Sequence, residues 1–579
     1  MTTITPDGPH LPGDSGPAKP SLRPEPVLPG TLTAVSQADQ SPKPQQAEKG
    51  GPGRYPGAPR PEEVRPTPLT DLAEQLAIPV PDGGEAVQVT GITHDSRAVR
   101  PGDVYAALPG ARLHGADFVA QAADLGAAAI LTDPTGAERA AATGLPVLAV
   151  DDPRARMGAL AVSIYGAPGE DLLQIGITGT SGKTTTAYLI EGGLRAAAAK
   201  GGDGALTGLI GTVESRIGDE RLKSERTTPE ATDLQALFAV MRERGVGSVA
   251  MEVSSHALVL GRVDGCVFDV AVFNNLSPEH MEFHSGMEDY FQAKAQLFTK
   301  ARSKAGVVNL DDEYGRRLAA GESEVPVTTF SAEGHPDADW RAADVELGAL
   351  GSTFTVHGPG GVTLRAASPI AGPFNVSNAL AAITALAVAG VDPQIAADGV
   401  AGIPGVPGRL ERVDAGQPYL AVVDYAHKTD AVESVLRALR KVTTGRLHAV
   451  LGCGGDRDRQ KRMPMGAAVA RLADTAVLTS DNPRSEDPLA ILATMLAGAA
   501  EVPVHERGTV LVEEDRAAAI AAVVARAEPG DTVIVAGKGH ELGQDIAGVV
   551  RPFDDRQVLR EAIEQSQKSQ QSQQPNHQG

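Results

Sequence analysis

A glycine-rich turn at residues 179–185 constrains this chain more than any other part of its sequence. The apolar run at residues 172–177 predicts a buried strand, and residues 186–194 predict a helix. Between them lies the tight loop Gly179-Thr180-Ser181-Gly182-Lys183-Thr184-Thr185. The backbone N–H groups of such a loop, together with the positive end of the next helix, bind phosphate oxygens. Lys183 is expected to reach the β- and γ-phosphates of a nucleotide, and Thr184 to bind Mg²⁺ through its hydroxyl.

The loop differs from the common nucleotide-binding pattern GxxxxGK[ST], which would require a glycine at the position of Ile177. It is a GxxGK[ST] variant. The alternative is an ordinary glycine-rich turn with an exposed lysine. The strand and the helix on either side argue against that alternative.

Short apolar runs alternate with segments of helical length along residues 67–565, for example at residues 127–131, 248–251 and 533–535. This alternation predicts βα units and parallel sheets, and therefore an α/β fold. A chain of 579 residues is too long for one core. Turn-rich breaks at residues 165–169 and 402–408 divide it into predicted domains at residues 67–168, 169–404 and 405–565.

Both ends of the chain have the composition of disordered segments. Residues 1–66 are rich in Pro, Gly, Ser and Gln, and residues 566–579 are rich in Gln and Ser. Such segments bury too little apolar surface to offset the entropy lost on ordering. We expect both to be disordered.

Charge and cysteine content exclude some classes of function. The net charge of −21 argues against nucleic acid or an anionic membrane as the main partner. Cys266 and Cys453 form no CxxC pair, which argues against a disulfide framework or a zinc site. The N-terminus has no signal-peptide pattern, and no apolar stretch reaches the roughly 20 residues that span a bilayer. The sequence therefore predicts a soluble, cytoplasmic protein.

Glu252 and His280 are candidate metal ligands. Glu252 directly follows the predicted strand at residues 248–251. Ligands of open α/β sheets bind at the carboxyl ends of strands, so Glu252 is placed to hold a metal ion beside the phosphate loop. For His280 alone, an ordinary surface or core histidine is the more frequent outcome.

A series of motifs, in order along about residues 88–563, is similar to that of the Mur ligase family. Besides the loop, the central part carries Thr227-Thr228-Pro229-Glu230, Glu252-Val253-Ser254-Ser255-His256, Asn275-Leu276-Ser277 with His280, and Tyr290 with Lys294. The later part carries Gly372-Pro373-Phe374-Asn375-Val376-Ser377-Asn378, Gly408-Arg409-Leu410-Glu411, Asp424-Tyr425-Ala426-His427, Gly454-Gly455-Asp456-Arg457-Asp458, Asp481-Asn482-Pro483-Arg484 and Gly537-Lys538-Gly539-His540-Glu541. The resemblance implies an N-terminal UDP-binding α/β domain, a central P-loop ATPase domain with a mostly parallel sheet, and a C-terminal Rossmann-like α/β domain.

The same resemblance implies the reaction. ATP phosphorylates a substrate carboxylate, an amine attacks the acyl phosphate, and the intermediate collapses to an amide. A free carboxylate is a poor electrophile, and phosphorylation turns one of its oxygens into a good leaving group. Metal ions and Lys183 neutralise charge on the phosphoryl group during transfer.

By resemblance, the catalytic groups are Lys183, Glu252, His280 and Lys294. Mg²⁺ is assigned to Thr184, Glu252, His280 and Lys294, and CO₂ converts Lys294 to a carbamate, because an unmodified ammonium would repel the metal. ATP is assigned to the loop and to Asn375, Asn378, Arg409 and His427.

The resemblance also assigns the other two substrates. The UDP-bearing substrate is assigned to His94, Ser96, Ala111, Arg112, Thr227, Thr228, Ser254, Leu260 and Arg262. The amino acid is assigned to Arg457, Asp481, Asn482, Pro483, Arg484, Gly537 and Glu541. Arg484 matches the motif of members that add meso-diaminopimelate to UDP-MurNAc-L-Ala-D-Glu, rather than the lysine-adding variants. A buried polar set left unpaired by lysine discriminates by about 10⁴ to 10⁵.

Several alternatives stay open. Members that add lysine or D-Ala-D-Ala, and folylpolyglutamate synthase, share the loop and the acyl-phosphate chemistry. A P-loop ATPase without ligase activity, or an inactive scaffold, belongs to a different class. The chain departs from the family pattern at Ser181, at Glu279 and at Lys428-Thr429. A monomer is expected.

Overall fold

Three successive sheets organise the part of the chain that the computed structural model describes, which is residues 58–573 except residues 111 and 203. Each of the three is wholly or mostly parallel and packs against helices. The α/β fold predicted from the alternating apolar runs is confirmed.

The first sheet is small and all parallel. Its strands, in spatial order, are Gly91–Thr93, Asp103–Ala106, Ala129–Thr132 and Val147–Ala149. A two-stranded antiparallel ribbon, Thr67–Pro68 with Gln88–Val89, precedes it. The helices of this part are Leu69–Gln75, Val119–Asp124, Pro134–Ala140 and Pro153–Ile164.

The second sheet has eleven strands, of which the middle seven are parallel. Their spatial order is Glu220–Lys223, Glu214–Ile217, Leu206–Ile210, Val246–Glu252, Leu173–Thr178, Phe268–Phe273, Ser303–Asn309, Val327–Ser331, Trp340–Gly348, Gly351–Gly358 and Val362–Ser368. The helices are Lys183–Gly201, Ala231–Glu243, Ser255–Val259, Met287–Ala295, Glu313–Arg317, Pro373–Val388 and Pro393–Ala401.

The predicted strand, loop and helix around residue 180 are present, with different helix bounds. The strand is Leu173–Thr178 and the helix is Lys183–Gly201, whereas the sequence predicted a helix at residues 186–194. The helix begins earlier because Gly182, at φ +86°, reverses the chain directly before Lys183. It continues further because alanines fill its last turns, and it ends at Gly202, at φ +71°.

The third sheet has six strands, and all but its first pairing are parallel. The order is Glu411–Arg412, Leu420–Asp424, Thr532–Ala536, Leu447–Cys453, Thr475–Ser480 and Thr509–Val512. The helices are Thr429–Val442, Arg462–Leu472, Pro488–Glu501, Arg516–Val524 and Asp555–Gln573, and a hairpin pairs Gly543–Ile546 with Val549–Pro552.

The longest apolar stretch of the sequence lies mostly in helix Pro373–Val388, whose residues 375–386 are largely buried in the core between the second sheet and the neighbouring helices. Its apolar character therefore serves packing. Within residues 58–573, no helix combines the length and apolarity needed to cross a lipid bilayer.

The N-terminal extension ends earlier than the sequence predicted. Arg60 forms an ion pair with Asp103 at 3.2 Å and donates a hydrogen bond to the Tyr165 hydroxyl at 2.9 Å. The backbone N–H groups of Glu62 and Glu63 donate to Glu243. Charged side chains thus order residues that lack apolar periodicity. Residues 1–57 of the predicted disordered extension lie outside the described residues.

The predicted disordered tail also differs. Helix Asp555–Gln573 runs past residue 566, where the tail was expected to begin. Its first half is held by the buried side chains of Leu559 and Ile563, and Gln and Lys, with good helix propensity, continue the helix from there. Residues 574–579 lie outside the described residues.

A wholly buried ion pair joins the last two helices to the third sheet. Arg516 contacts both carboxylate oxygens of Asp555 at 2.7 Å, and both side chains have no exposed surface. The guanidinium also donates to the Ala536 carbonyl at 2.9 Å, at the end of a strand.

We expect Asp555→Asn to lower the free energy of unfolding of the C-terminal domain by about 3–5 kcal/mol, because it leaves a buried guanidinium without its counter-charge. Hydrogen–deuterium exchange of the third sheet in the full chain measures this. Glu433→Gln is the control, because it breaks the exposed pair with Arg437 in the same domain and should cost less than about 1 kcal/mol. Equal protection in both variants would contradict the expectation.

Candidate active site

The phosphate loop is shaped by two glycines and a lysine. Gly179 lies at φ +149° and Gly182 at φ +86°. A Cβ at Gly182 would lie 2.4 Å from Oδ1 of Asn378, so an added side chain would require Asn378 to move. Lys183 folds back over the loop and donates to the carbonyls of Gly179 at 2.8 Å and Thr180 at 3.0 Å.

The strand next to the loop supplies the side chain that pins it. Strand Phe268–Phe273 is followed by Asn275, whose Oδ1 accepts the backbone N–H of Ser181 at 2.9 Å. Its Nδ2 donates to the Ser181 carbonyl at 3.2 Å. The Thr180 hydroxyl donates to the Ser277 carbonyl at 3.1 Å and lies 3.1 Å from the Tyr290 hydroxyl. The phosphate loop is thus fixed by the segment that follows strand Phe268–Phe273 and by the hydroxyl of Tyr290.

Glu252 ends its strand, as predicted, and lies beside the loop. Thr184 donates to Oε2 of Glu252 at 3.0 Å. Thr212 donates to the same oxygen at 3.1 Å and, through its backbone N–H, to Oε1 at 2.7 Å. Its hydroxyl is also 3.0 Å from that of Thr227. A chain of hydroxyls therefore connects the loop to a residue assigned to the UDP-bearing substrate.

The predicted metal ligands do not form a preassembled set of acidic and imidazole groups. In the described part of the chain, no three His, Cys, Asp or Glu side chains converge as a metal site. Thr184 and Glu252 are in contact, but His280 instead lies 3.5 Å from both Glu279 and Glu282. A Mg²⁺ ion in proteins usually keeps several waters and takes substrate phosphate oxygens, so a sparse protein set is compatible with it.

Lys294 is buried directly against the loop. It lies on helix Met287–Ala295 with about 1% of its surface exposed, and its Nζ donates to the Gly179 carbonyl at 3.0 Å. Lys183 donates to the same carbonyl. Burial, and then the charge of Lys183, hold the pKa of the Lys294 ammonium well below its usual value. Burial and the charge of Lys183 therefore both disfavour the protonated form of this amine.

Two departures from the family pattern, Glu279 and Lys428, form an ion pair with each other. Burial acts to raise the pKa of Glu279, but Lys428 and Lys183 outweigh it and lower the pKa to about 2. A second link joins the same two segments: the Ser277 hydroxyl, two residues before Glu279, donates to Asp430 at 3.1 Å, in the helix that follows Lys428. The unusual residue after His427 thus has a partner in the central domain.

The residues assigned to ATP from later segments fall into two groups. Asn378 donates to Asn375 at 3.0 Å and accepts from Thr186 at 3.3 Å, so both asparagines lie behind the loop. His427 is half-buried, and the loss of hydration lowers its pKa to about 4.

Arg409 bridges two domains. It donates to the Thr184 hydroxyl at 3.2 Å and lies over the Tyr425 ring, 4.6 Å from its centre. The Tyr425 ring lies 5.0 Å from the His540 ring, in the loop that follows strand Thr532–Ala536. The phosphate loop is therefore connected to the loop that carries Gly537 and Glu541, two residues assigned to the amino acid.

The residues assigned to the UDP-bearing substrate lie in two places. Thr228 donates to the Glu252 carbonyl at 2.9 Å and accepts from the backbone of Ser254 at 3.2 Å, so these two lie close to the loop with Thr227. Ser96 donates to Gln121 at 3.1 Å, within the first domain. Arg112 is exposed, Leu260 is half-buried, and Ala111 lies outside the described residues.

Glu230 joins the first and second domains close to the residues assigned to the UDP-bearing substrate. Its carboxylate lies 2.9 Å from Arg262 and 3.1 Å from Arg154, which belongs to the first domain. His94 approaches the same region, with Nδ1 3.4 Å from the Thr232 hydroxyl. Arg262 is thus held by a carboxylate beside the site to which it was assigned.

The residues assigned to the amino acid gather at the carboxyl ends of the third sheet. Asp481 and Asn482 are buried directly after strand Thr475–Ser480. Asn482 donates to Glu541 at 2.8 Å. A Cβ at Gly537 would lie 2.7 Å from Oδ2 of Asp481. Arg457 is exposed at the rim.

Arg484 adopts a strained backbone, with φ +52°. Its N–H donates to the Asp545 carbonyl at 3.0 Å, and its carbonyl accepts from Ala547 at 2.7 Å. The guanidinium donates to the Gly455 carbonyl at 2.7 Å, which leaves further N–H groups for a ligand. Strain of this kind persists where surrounding contacts hold it, and it is frequent at ligand sites.

Comparison with known proteins decides the family. Three family models match: "Mur ligase family, catalytic domain" at residues 88–165, "Mur ligase middle domain" at residues 177–386 and "Mur ligase, glutamate ligase domain" at residues 408–539. This chain belongs to the Mur ligase family. It is an ATP-dependent ligase with the three-domain architecture of that family.

The relatives of this ligase include named diaminopimelate ligases. It is 80% identical over 513 residues to the UDP-N-acetylmuramoyl-L-alanyl-D-glutamate--2,6-diaminopimelate ligase of Streptomyces coelicolor, covering 89% of this chain and 99% of that relative. It is 48% identical to the ligase of the same name from Corynebacterium glutamicum, over 83% and 92%. A solved structure with that name matches with a TM-score of 0.63 and 32% identity, over 87% of this chain and 100% of that one.

Sequence reasoning missed several residues of the site. Lys538 lies in the motif Gly537-Lys538-Gly539-His540-Glu541, which predicts no role for it, although its side chain is fully buried beside Asn482. Thr212 contacts both oxygens of Glu252 from a short turn that carries no periodic signal. In the sequence, Glu279 and Lys428 are two separate departures from the family pattern, and nothing there indicates that they form an ion pair.

We expect Gly182→Ala to weaken ATP binding by at least about tenfold, because the added Cβ meets Asn378 and the positive φ strains any side chain. Isothermal titration with ATP measures it. Gly202→Ala is the matched control at the other end of the same helix: its φ is +71°, and an added Cβ meets nothing within 4 Å. Equal affinity in the two variants would mean that the loop tolerates a side chain.

Proposed function

We propose that this ligase adds diaminopimelate, in its meso form, to UDP-MurNAc-L-Ala-D-Glu through an acyl phosphate made with ATP. The observation that carries the proposal is the position of Thr184 between two groups of side chains. On one side, Glu252 and Thr212 connect it to Thr227. On the other side, Arg409 connects it to the third sheet.

This arrangement supports an order of chemical roles. The loop and Lys183 hold the phosphates of ATP, with the γ-phosphate directed toward Glu252. Thr227 and Thr228 hold the peptide end of the nucleotide substrate near the same carboxylate, where its own terminal carboxylate accepts the phosphoryl group. The amine then arrives from the third sheet, attacks the acyl carbon and displaces phosphate. The names of the relatives support the same pair of substrates.

Mg²⁺ fits this site with few protein ligands. Thr184 and Glu252 offer one hydroxyl and one carboxylate, and phosphate oxygens and waters complete such a set. The ion, when bound, neutralises charge on the transferring phosphoryl group. Lys183 does the same from the loop.

Carbamylation of Lys294 fits its surroundings. The half-buried Lys183 and the buried Lys294 share the Gly179 carbonyl as acceptor, and two ammonium groups so close together would be electrostatically unfavourable. Burial lowers the pKa of Lys294, which favours the neutral amine, the form that reacts with CO₂. The product carries a negative charge that pairs with Lys183.

The third sheet offers opposite charges suited to the second amino-acid head of diaminopimelate. Arg484 presents a guanidinium for a carboxylate, and Glu541 and Asp481 present carboxylates for an ammonium. Lysine lacks this second carboxylate, so it would leave Arg484 unpaired.

Phosphate release in the presence of UDP-MurNAc-L-Ala-D-Glu, ATP and Mg²⁺ tests the function. We expect release to depend on meso-diaminopimelate, with kcat/KM at least about 10⁴-fold lower for L-lysine. Arg484→Ala should remove most of this preference. Comparable use of lysine would overturn the assignment of the acceptor, and release that needs no amine would favour an ATPase without ligase activity.

The carbamate is tested by ¹³C NMR of the ligase in ¹³C-bicarbonate. We expect a carbamate signal in the wild type that is absent from Lys294→Met, together with loss of amide formation and retained ATP binding. Lys300→Met, an exposed lysine that follows the same helix, is the control and should keep both signal and activity. A signal that survives in Lys294→Met, or normal turnover of that variant, would remove the assignment.

A further inference from the structure

Lys538 is a buried lysine in the acceptor site that no part of the proposed reaction uses. It follows strand Thr532–Ala536 by two residues, and its side chain has no exposed surface. An ammonium is strongly hydrated in water, so complete burial requires that the protein satisfy all its donors.

All three donors of Lys538 are satisfied by the protein. Nζ donates to Oδ1 of Asn482 at 3.1 Å, to Oε2 of Glu541 at 3.1 Å and to the Gly543 carbonyl at 2.7 Å. An ammonium has three N–H groups. None remains for a substrate, so Lys538 acts only through its neighbours.

These contacts fix the orientation of the Asn482 amide. Its Oδ1 accepts from Lys538 and also from the backbone N–H of Asp545 at 3.0 Å. Its Nδ2 therefore faces the other way and donates to Oε2 of Glu541 at 2.8 Å. A flipped amide would lose both acceptor contacts.

The same contacts leave the two oxygens of Glu541 in different states. Oε2 accepts from both Asn482 and Lys538. Within residues 58–573, no hydrogen bond to Oε1 is formed, and the Glu541 side chain is one-third exposed. One oxygen is therefore anchored, and the other is presented at the site with little freedom to rotate.

We propose that Lys538 is a positioning residue for acceptor selectivity: it holds Asn482 and Oε2 of Glu541 so that Oε1 meets the ammonium of a second amino-acid head. This inference rests on the proposed function. Asn482 then holds Glu541 through one N–H of its Nδ2, and the amide has a second N–H for a ligand. The preference for diaminopimelate depends on a lysine that does not touch it.

A purely structural role makes a different prediction. The bond from Lys538 to the Gly543 carbonyl also holds the start of hairpin Gly543–Ile546. If that were its only role, loss of Lys538 would affect stability and the use of any amino acid alike. Positioning affects only acceptors that carry the second head.

The test compares Lys538→Met with wild type in the full chain. We expect KM for meso-diaminopimelate to rise by at least about 30-fold, KM for ATP and for the nucleotide substrate to stay within twofold, and kcat/KM for L-lysine to stay unchanged. Lys538→Gln, which keeps a donor for Asn482, should show a smaller rise, and it replaces the Met variant if that variant does not fold.

A double-mutant cycle with Glu541→Gln tests whether Lys538 acts through Glu541. The double variant should have a KM within about threefold of Glu541→Gln alone, because residues that act as one unit are not additive. Additive effects would overturn the proposal, and so would a parallel fall in kcat/KM for lysine.

His448→Leu is the matched control for stability. His448 is buried at the opposite, amino-terminal end of the same sheet, where Nε2 lies 3.0 Å from Asp531. It should lower the melting temperature without changing any KM. A wild type that does not use diaminopimelate would contradict the proposed function, whereas a normal Lys538→Met with an active wild type would contradict only the role of Lys538.

Discussion

Parallel strands end at one edge of their sheet, and this constraint places the chemistry of the ligase. In the second sheet, the strand before the phosphate loop lies between the strand that ends at Glu252 and the strand that leads to Asn275. In the third sheet, the same rule gathers Asp481 and the loop of Glu541 at one edge. Arg409 joins the two edges by its contact with Thr184. Because each edge is built from several distant segments, neither site exists until its sheet has formed.

Lysine side chains distinguish the two edges. At the phosphate loop, Lys183 and Lys294 donate to one shared backbone carbonyl, and within the described residues neither forms an ion pair with a carboxylate. At the acceptor edge, Lys538 has a carboxylate partner, and the charge is balanced within the protein. The first arrangement attracts an anionic ligand or a modification that supplies negative charge. At the acceptor edge, the ammonium of Lys538 already has its partners in the protein, which matches a role in orienting other side chains rather than in binding a ligand.

Local patterns in the sequence predicted the elements that carry the site. The strand, loop and helix at residue 180 follow from an apolar run, glycines and helix formers, and the position of Glu252 follows from the end of its strand. The helix bounds were less accurate, because they depend on Gly182 and on a run of alanines. Contacts between distant segments could not be predicted. Lys428 meets Glu279 only after the domains pack, and Arg60 is ordered by Asp103 in a segment whose composition indicates disorder.

Open volume and polar contacts both lie at the junction of the second and third sheets, around the linker at residues 402–408. A cavity of about 850 Å³ lies beside it, lined by Glu191, Arg216, Val406, Leu410 and Leu439. The charged side chains on its wall are largely paired within the protein, as for Glu191 with Arg216. The cavity therefore does not need a bound ion to balance its charge. Arg409, Lys428 and Asp430 cross between the domains on the side of the phosphate loop. These polar contacts join the third domain to the central domain beside the phosphate loop, which is where the proposed function places the acyl phosphate.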